Sequence, residues 1–267
     1  MPILNIAGYK FIKLEDLPAI QAALKSQCEQ AGLLGTILLS KEGVNMNLAG
    51  EQDRVRSFQL QLANSLYFSG MSFHETYSST VPFQTLKIKI KNEIITFHQP
   101  DANPALCDRA PTISPEALKT WLDQGRDITL LDTRNDYEYR FGTFKGAINL
   151  HLKNFTELAD AVSSLDPDKP VVMFCTGGIR CEKAGLFMLL QGFREVYQLD
   201  GGILGYFAKV GGAHYEGECF VFDERVALDT SLRDTDTIQC LCCQGPVTVA
   251  DQHLPSYVRG VSCPACG

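Results

Sequence analysis

No stretch of this 267-residue chain approaches the roughly 18 consecutive apolar residues that a membrane-spanning helix needs, and the N-terminus lacks a basic segment followed by a long apolar run. A soluble cytoplasmic protein is expected, with no membrane partner. Cationic side chains are also in short supply: Lys+Arg 24 against Asp+Glu 31 leaves a net charge of -7. That balance argues against a protein that coats nucleic acid nonspecifically, because neutralising phosphates needs a basic surface. The acidic excess is concentrated in residues 213–267, so a local RNA footprint is better sought in the earlier segments. Hydrophobic residues at 45% exclude a disordered class and suffice for about two domains, each with its own core. Ten cysteines in a chain without a secretory signal read as metal ligands and reactive thiols, not as a disulfide scaffold. No nucleotide cofactor is evident.

The most informative stretch is Val171-Val172-Met173-Phe174-Cys175-Thr176-Gly177-Gly178-Ile179-Arg180-Cys181. Four uninterrupted apolar residues suit a parallel strand covered on both faces. Thr176-Gly177-Gly178 then lets the backbone fold tightly with its N–H groups turned inward, at the start of a helix. With the positive helix end and the Arg180 cation nearby, the Cys175 thiolate is favoured and its pKa is expected to fall. Cys181 lies six residues on, either packing under the loop or able to resolve an oxidised Cys175.

The first hundred residues read strand, helix, strand, helix, strand. Leu17, Ile20, Leu24 and Ala31 fall near helical spacing ahead of Gly32, and Val55, Phe58, Leu62 and Leu66 make a second stripe. Gly35 to Leu39 and Phe83 to Phe97 read as strands, which fits a ferredoxin-like α+β domain over residues 1–99. Lys87, Lys89 and Lys91 alternate with Leu86, Ile88 and Ile90, so their ammonium groups share one strand face. They either blunt a sheet edge or hold RNA phosphates. Residues 100–112, with Pro100 and Pro104, break both periodicities and read as a linker. From residue 113 to 212 strand patterns at Ile128–Leu131, Val171–Phe174 and Glu195–Leu199 alternate with helices, and Ser114-Pro115 opens the first of these. The pattern is a parallel sheet with helices on both faces. It places Asp132, Arg134 and Cys175 on one rim, at the carboxyl ends of strands.

Residues 213–267 form a C-terminal extension. Cys240-x2-Cys243, nineteen residues, then Cys263-x2-Cys266 has the spacing of a closed four-cysteine site, a zinc-ribbon-like tail with structural zinc. Cys242 can compete with either neighbour for the metal, and a set of reduced free thiols is the alternative.

Taken together, the Cys175-x4-Arg180 loop, Leu130-Leu131-Asp132-Thr133-Arg134, Gly146-Ala147-Ile148-Asn149-Leu150 and Leu199-Asp200-Gly201-Gly202-Ile203 resemble a rhodanese domain over roughly residues 110–210. More narrowly, Cys175 to Ala184, Asp132 to Glu138, Gly142 to Ala147 and Cys219 to Arg225 are similar to the bacterial rhodanese-type tRNA uridine hydroxylases; Glu42 to Leu48 resembles that family less closely. The resemblance implies oxygen-dependent conversion of a wobble uridine in the tRNA anticodon loop to 5-hydroxyuridine, with Cys175 essential and molecular oxygen as co-substrate. A physical hypothesis fits that chemistry: a thiolate adding to C6 of uracil makes C5 enolate-like and able to react with oxygen. Thr176, Gly177, Gly178, Ile179 and Arg180, with Asp132 and Arg134, are the candidate substrate-binding set; Asp132 would fix Arg134, while Arg134 and Arg180 would meet an enolate oxygen or a phosphate. For Asp132 and Arg134 an ordinary ion pair is the competing reading. Two other functions stay open at this point, a sulfurtransferase carrying a persulfide on Cys175 and a non-catalytic interaction module.

Overall fold

The structure is a computed structural model and describes residues 2–267. The N-terminal part runs β1 (Ile3–Phe11), α1 (Leu17–Ala31), β2 (Leu34–Ser40), β3 (Gly43–Glu51), α2 (Gln52–Ala63), β4 (His74–Ser78) and β5 (Leu86–Ile90). Its sheet order is β4-β1-β3-β2-β5, the ferredoxin-like arrangement extended by β5, which lies parallel to β2 at the edge. Because successive side chains alternate across a strand, Leu4, Ile6, Ile37, Leu39, Val44 and Met46 pack under α1 and α2 against Leu24, Val55 and Phe58. Asn5, Tyr9, Asn45, Asn47, His74 and Thr76 fall on the opposite face and line a cavity instead.

Three local expectations are corrected here. Two strands are added to the anticipated sequence of elements, His74 to Ser78 at a sheet edge and, in the interior, Gly43 to Glu51. Its Asn45 and Asn47 are poor strand formers, but pairing on both sides, with β1 and β2, and burial of Val44, Met46 and Leu48 outweigh that preference. Of Phe83 to Phe97 only Leu86–Ile90 is strand. Beyond it the chain leaves the sheet, and Phe97 is buried against Phe155 at 4.7 Å and Phe187 at 5.5 Å, a burial worth about 1.5–3 kcal/mol. Leu66 lies past the end of α2 and is exposed, so it is no part of that helix's apolar stripe.

The segment from Gln99 to Pro111 lies along the next unit, burying Ala102 and Ala110 in the same core as Phe97. That unit contains β6 (Thr112–Ile113), α3 (Pro115–Asp123), β7 (Thr129–Asp132), α4 (Asp136–Tyr139), β8 (Gly142–Phe144), β9 (Ile148–Asn149), α5 (Leu158–Ala161), β10 (Val171–Phe174), α6 (Ile179–Leu190), β11 (Val196–Leu199) and α7 (Gly202–Val210). The Ser114 hydroxyl caps α3 by accepting from the Ala117 N–H at 3.1 Å. A parallel sheet in the order β6-β11-β10-β7-β9 has α3 and α7 on one face and α5 and α6 on the other. Central β10 is buried on both sides, which is why its sequence is an unbroken apolar run.

The C-terminal residues continue as β12 (Tyr215–Gly217), β13 (Cys219–Phe220), β14 (Ala227–Leu228), β15 (Ile238–Gln239), β16 (Pro246–Val247) and α8 (Val249–Gln252). β12 pairs with β8, which ties this stretch to the parallel-sheet unit. Among the described residues no helix is long and apolar enough to cross a membrane.

Candidate active site

β10 delivers Cys175 to the mouth of α6. The Gly178 N–H donates to the Cys175 sulfur at 3.1 Å. Gly178 holds φ +99°, a conformation open to glycine, and a Cβ there would stand 2.9 Å from the Tyr9 hydroxyl. The first N–H groups of α7 close the loop from the other side: Ile203 donates to the Cys175 carbonyl at 2.9 Å and Leu204 to the Thr176 carbonyl at 3.0 Å. Burial opposes ionisation of Cys175, but the Cys181 thiol, the Arg180 charge and the N–H groups of Arg180 and Gly178 outweigh it and bring the pKa down to about 5. Cys181 moves the opposite way: burial and the neighbouring Cys175 thiolate push its thiol up, and its sulfur lies 3.6 Å from the Thr133 hydroxyl.

The two arginines of the expected set are held by carboxylates. Arg180 makes a buried bidentate pair with Glu138 at 2.6 and 2.7 Å. Arg134 donates to Asp132 at 2.7 and 2.9 Å and to the Gly142 carbonyl at 2.6 Å. Arg180 reaches the cavity beside Cys175, whereas Asp132 and Arg134 are buried beneath it and do not line it.

That cavity, about 480 Å3, lies between the Cys175 loop and the open face of the N-terminal sheet, and Thr176, Gly177 and Ile179 line it with Cys175. The buried Thr176 hydroxyl has no hydrogen-bond partner among the described residues. Across from the loop, the Tyr9 hydroxyl donates to Glu182 Oε1 at 3.1 Å, and His74 Nε2 meets the Gly177 carbonyl at 3.3 Å. A carbonyl only accepts, so Nε2 carries the proton; burial lowers the His74 pKa, leaving Nδ1 as an acceptor. Burial likewise raises the Glu182 pKa. One residue along α6, buried Lys183 bridges Glu42 at 2.9 Å and Glu93 at 2.6 Å, pinning the two parts of the chain together at the site. Sequence reasoning missed Tyr9, His74, Glu182 and Lys183. The Cys219 to Arg225 motif hinted at a further wall, since Val221, Phe222 and Arg225 do line the cavity, and so did the Glu42 to Leu48 segment, of which Asn45, Asn47 and Leu48 line it and Glu42 pairs with Lys183.

Lys87 and Lys89 are exposed on the outer strand β5, with Lys91 just past its end; Lys91 lines the cavity. They lie on the same side of the sheet as the polar floor.

At the C-terminus the sulfurs of Cys240, Cys243, Cys263 and Cys266 all lie within 4.8 Å of one another, a cluster able to hold a metal ion. Recorded separations are 3.9 Å for Cys240–Cys266, 3.6 Å for Cys243–Cys263 and 3.6 Å for Cys263–Cys266. A tetrahedron with metal–sulfur bonds of about 2.3 Å has edges of about 3.8 Å, so the thiols fit such an ion. Cys242 is exposed and outside the cluster. Arg140 donates to the Cys243 carbonyl at 3.1 Å and approaches its sulfur at 3.4 Å, docking the cluster beside α4.

Fold and site together define a rhodanese-like unit whose cysteine loop faces an acylphosphatase-like sheet. Residues 3–94 match the UPF0176 acylphosphatase-like domain family and residues 114–209 the rhodanese-like domain family. The chain is similar to the tRNA uridine(34) hydroxylase of Cupriavidus taiwanensis, 45% identical over 274 residues and covering 100% of this chain and 97% of that protein. It is similar also to the tRNA uridine(34) hydroxylase of Burkholderia lata, 42% identical over 278 residues, with 100% and 98% covered. Among solved structures, the Alr3790 protein of Anabaena sp. is 27% identical with a TM-score of 0.35, covering 39% of this chain and 91% of that one. The chain belongs to the tRNA uridine(34) hydroxylase family.

Proposed function

We propose that this enzyme hydroxylates C5 of the wobble uridine in the anticodon loop of tRNA, in the cytoplasm, with molecular oxygen as co-substrate and Cys175 as nucleophile. The observation that carries the reading is the Cys175 sulfur, held by the Gly178 N–H at 3.1 Å and set in the wall of a cavity large enough for a nucleoside and faced by a polar sheet, where the Cys181 thiol, the Arg180 charge and the loop N–H groups pull its pKa down against burial. Full-length similarity to proteins named for this activity supports it.

In this reading the Cys175 thiolate forms a bond to C6 of the uracil, and the displaced electron pair makes C5 and O4 an enolate. C5 then forms a bond to one atom of molecular oxygen. The O–O bond breaks as an external thiol reductant, oxidised to its disulfide, supplies two electrons and two protons, so that the second oxygen atom leaves as water. Loss of the C5 proton and departure of the thiolate from C6 restore the double bond, giving 5-hydroxyuridine and free Cys175. The Thr176 hydroxyl, which has no hydrogen-bond partner among the described residues, and the loop N–H groups serve the developing oxyanion. Arg180 acts on Cys175 through its charge and its backbone N–H, since its guanidinium is occupied by Glu138. A wobble base is already largely unpaired, so little energy is needed to place it in the pocket. The four clustered cysteines hold a structural zinc, closed to substrate because all four ligands are sulfur.

The test is nucleoside mass spectrometry of anticodon stem–loop RNA incubated with purified protein and a thiol reductant, in air and without oxygen. 5-Hydroxyuridine in air alone is expected. A thiolated nucleoside would point to sulfur transfer instead.

A further inference from the structure

Beside the Cys175 cavity lies a second hollow of about 430 Å3, and Thr36, Phe83, Val221, Phe222 and Asp223 belong to the walls of both. Phe222 stands on this divide with 57% of its surface exposed, although Val221 before it is buried. Folding alone gives little reason for a phenyl ring in that position. It is steadied by an edge-to-face contact with Phe220 at 5.2 Å, and the Arg180 guanidinium lies 5.9 Å from its centre. Lys87 lines the second hollow and Lys91 the first, so an ammonium group faces each side of the divide. Asp223 is neutralised by its pair with Arg225, and Glu224, the other carboxylate there, accepts from the Gln84 amide at 2.9 Å.

We propose that the second hollow is a subsite for a nucleotide adjacent to the target uridine, its base stacked on Phe222 and the connecting phosphate facing Lys87 and Lys91. The proposal rests on the tRNA reading above. Two hollows of nucleoside size share an aromatic partition, which suits two successive bases of a single-stranded loop splayed apart. Stacking on an aromatic ring tolerates any base, so the subsite adds affinity without adding a sequence requirement.

The experiment compares wild type, Phe222→Ala and Phe222→Tyr on anticodon stem–loop RNA, intact or with an abasic residue on either side of the target uridine. Fluorescence anisotropy reads RNA binding, and 5-hydroxyuridine formation reads KM and kcat. Phe222→Ala should weaken RNA binding and raise KM about 10-fold, while Phe222→Tyr, which keeps the stacking ring, restores binding to near the wild-type level. An abasic residue on one side should cost wild type a similar factor and cost Phe222→Ala almost nothing, because both changes remove the same stack. Unchanged binding by Phe222→Ala, or losses that multiply on both sides, would overturn the subsite. Binding that behaves as described without 5-hydroxyuridine from wild type would leave the subsite standing and refute the hydroxylation reading.

Discussion

Arg180 spends both terminal guanidinium nitrogens on the Glu138 carboxylate, with both side chains buried. The pair fixes Arg180 where its charge and backbone N–H meet Cys175, so it is a positioning device for the thiolate. Breaking such a pair leaves an uncompensated buried charge. Glu138→Ala should lose about 3–5 kcal/mol in urea unfolding, whereas Glu138→Leu with Arg180→Met recovers much of that stability without recovering activity.

Gly178 is a second lever on the thiolate. Gly178→Ala meets both the +99° backbone and the Tyr9 hydroxyl, disturbing the N–H that donates to Cys175. In wild type, alkylation of Cys175 by iodoacetamide should titrate with a midpoint of about 5, and in Gly178→Ala the midpoint should move up. Stability follows the same linkage. The folded pKa lies below the ordinary thiol value of 9.0, so between about 5 and 9 the unfolded chain binds the extra proton. Wild type should therefore gain stability relative to Cys175→Ser as pH rises through that window, and lose the gain as pH falls through 5. A difference that does not change with pH would mean that the thiolate is not favoured.

The parts of this site legible in the sequence are those contained in one short segment. β10, its loop and the start of α6 occupy fourteen consecutive positions from Val171 to Ala184, and apolar run, glycines and arginine are read together there. The paired Cys-x2-Cys spacings carry the metal cluster in the same way. Tyr9, His74 and Glu93 were not legible, because only the packing of one sheet face on the Cys175 loop brings them to Glu182, Gly177 and Lys183. β3 was missed for a related reason. The asparagines that weaken its strand signal face the cavity, where polar side chains are of use. Spacing anticipated the pairing of Asp132 with Arg134, but not that the pair is buried beneath the site and off the cavity wall.

For the cysteine cluster, elemental analysis of purified protein should give one zinc per chain. Cys263→Ser should lose the metal and loosen the segment after Thr237 in limited proteolysis, while the sheet around β10 stays folded. Cys242→Ser should keep the full complement, because its side chain lies outside the cluster.

Changing Lys87, Lys89 and Lys91 together to Gln tests the basic stripe. If each meets one phosphate of a single-stranded loop, the slope of log affinity against log salt should flatten by about 2. An unchanged slope would assign them to solvation of the β5 edge.

The role of Cys175 is tested most directly by measuring 5-hydroxyuridine in tRNA from a deletion strain carrying Cys175→Ser, with wild type and Cys181→Ser alongside. Serine keeps the size of the side chain but removes thiolate chemistry. Wild type should restore the nucleoside, Cys181→Ser should restore it at least in part, and Cys175→Ser protein, folded and present at normal level, should restore none. Restoration by Cys175→Ser to the wild-type level would show that the loop is structural and that the nucleophile lies elsewhere.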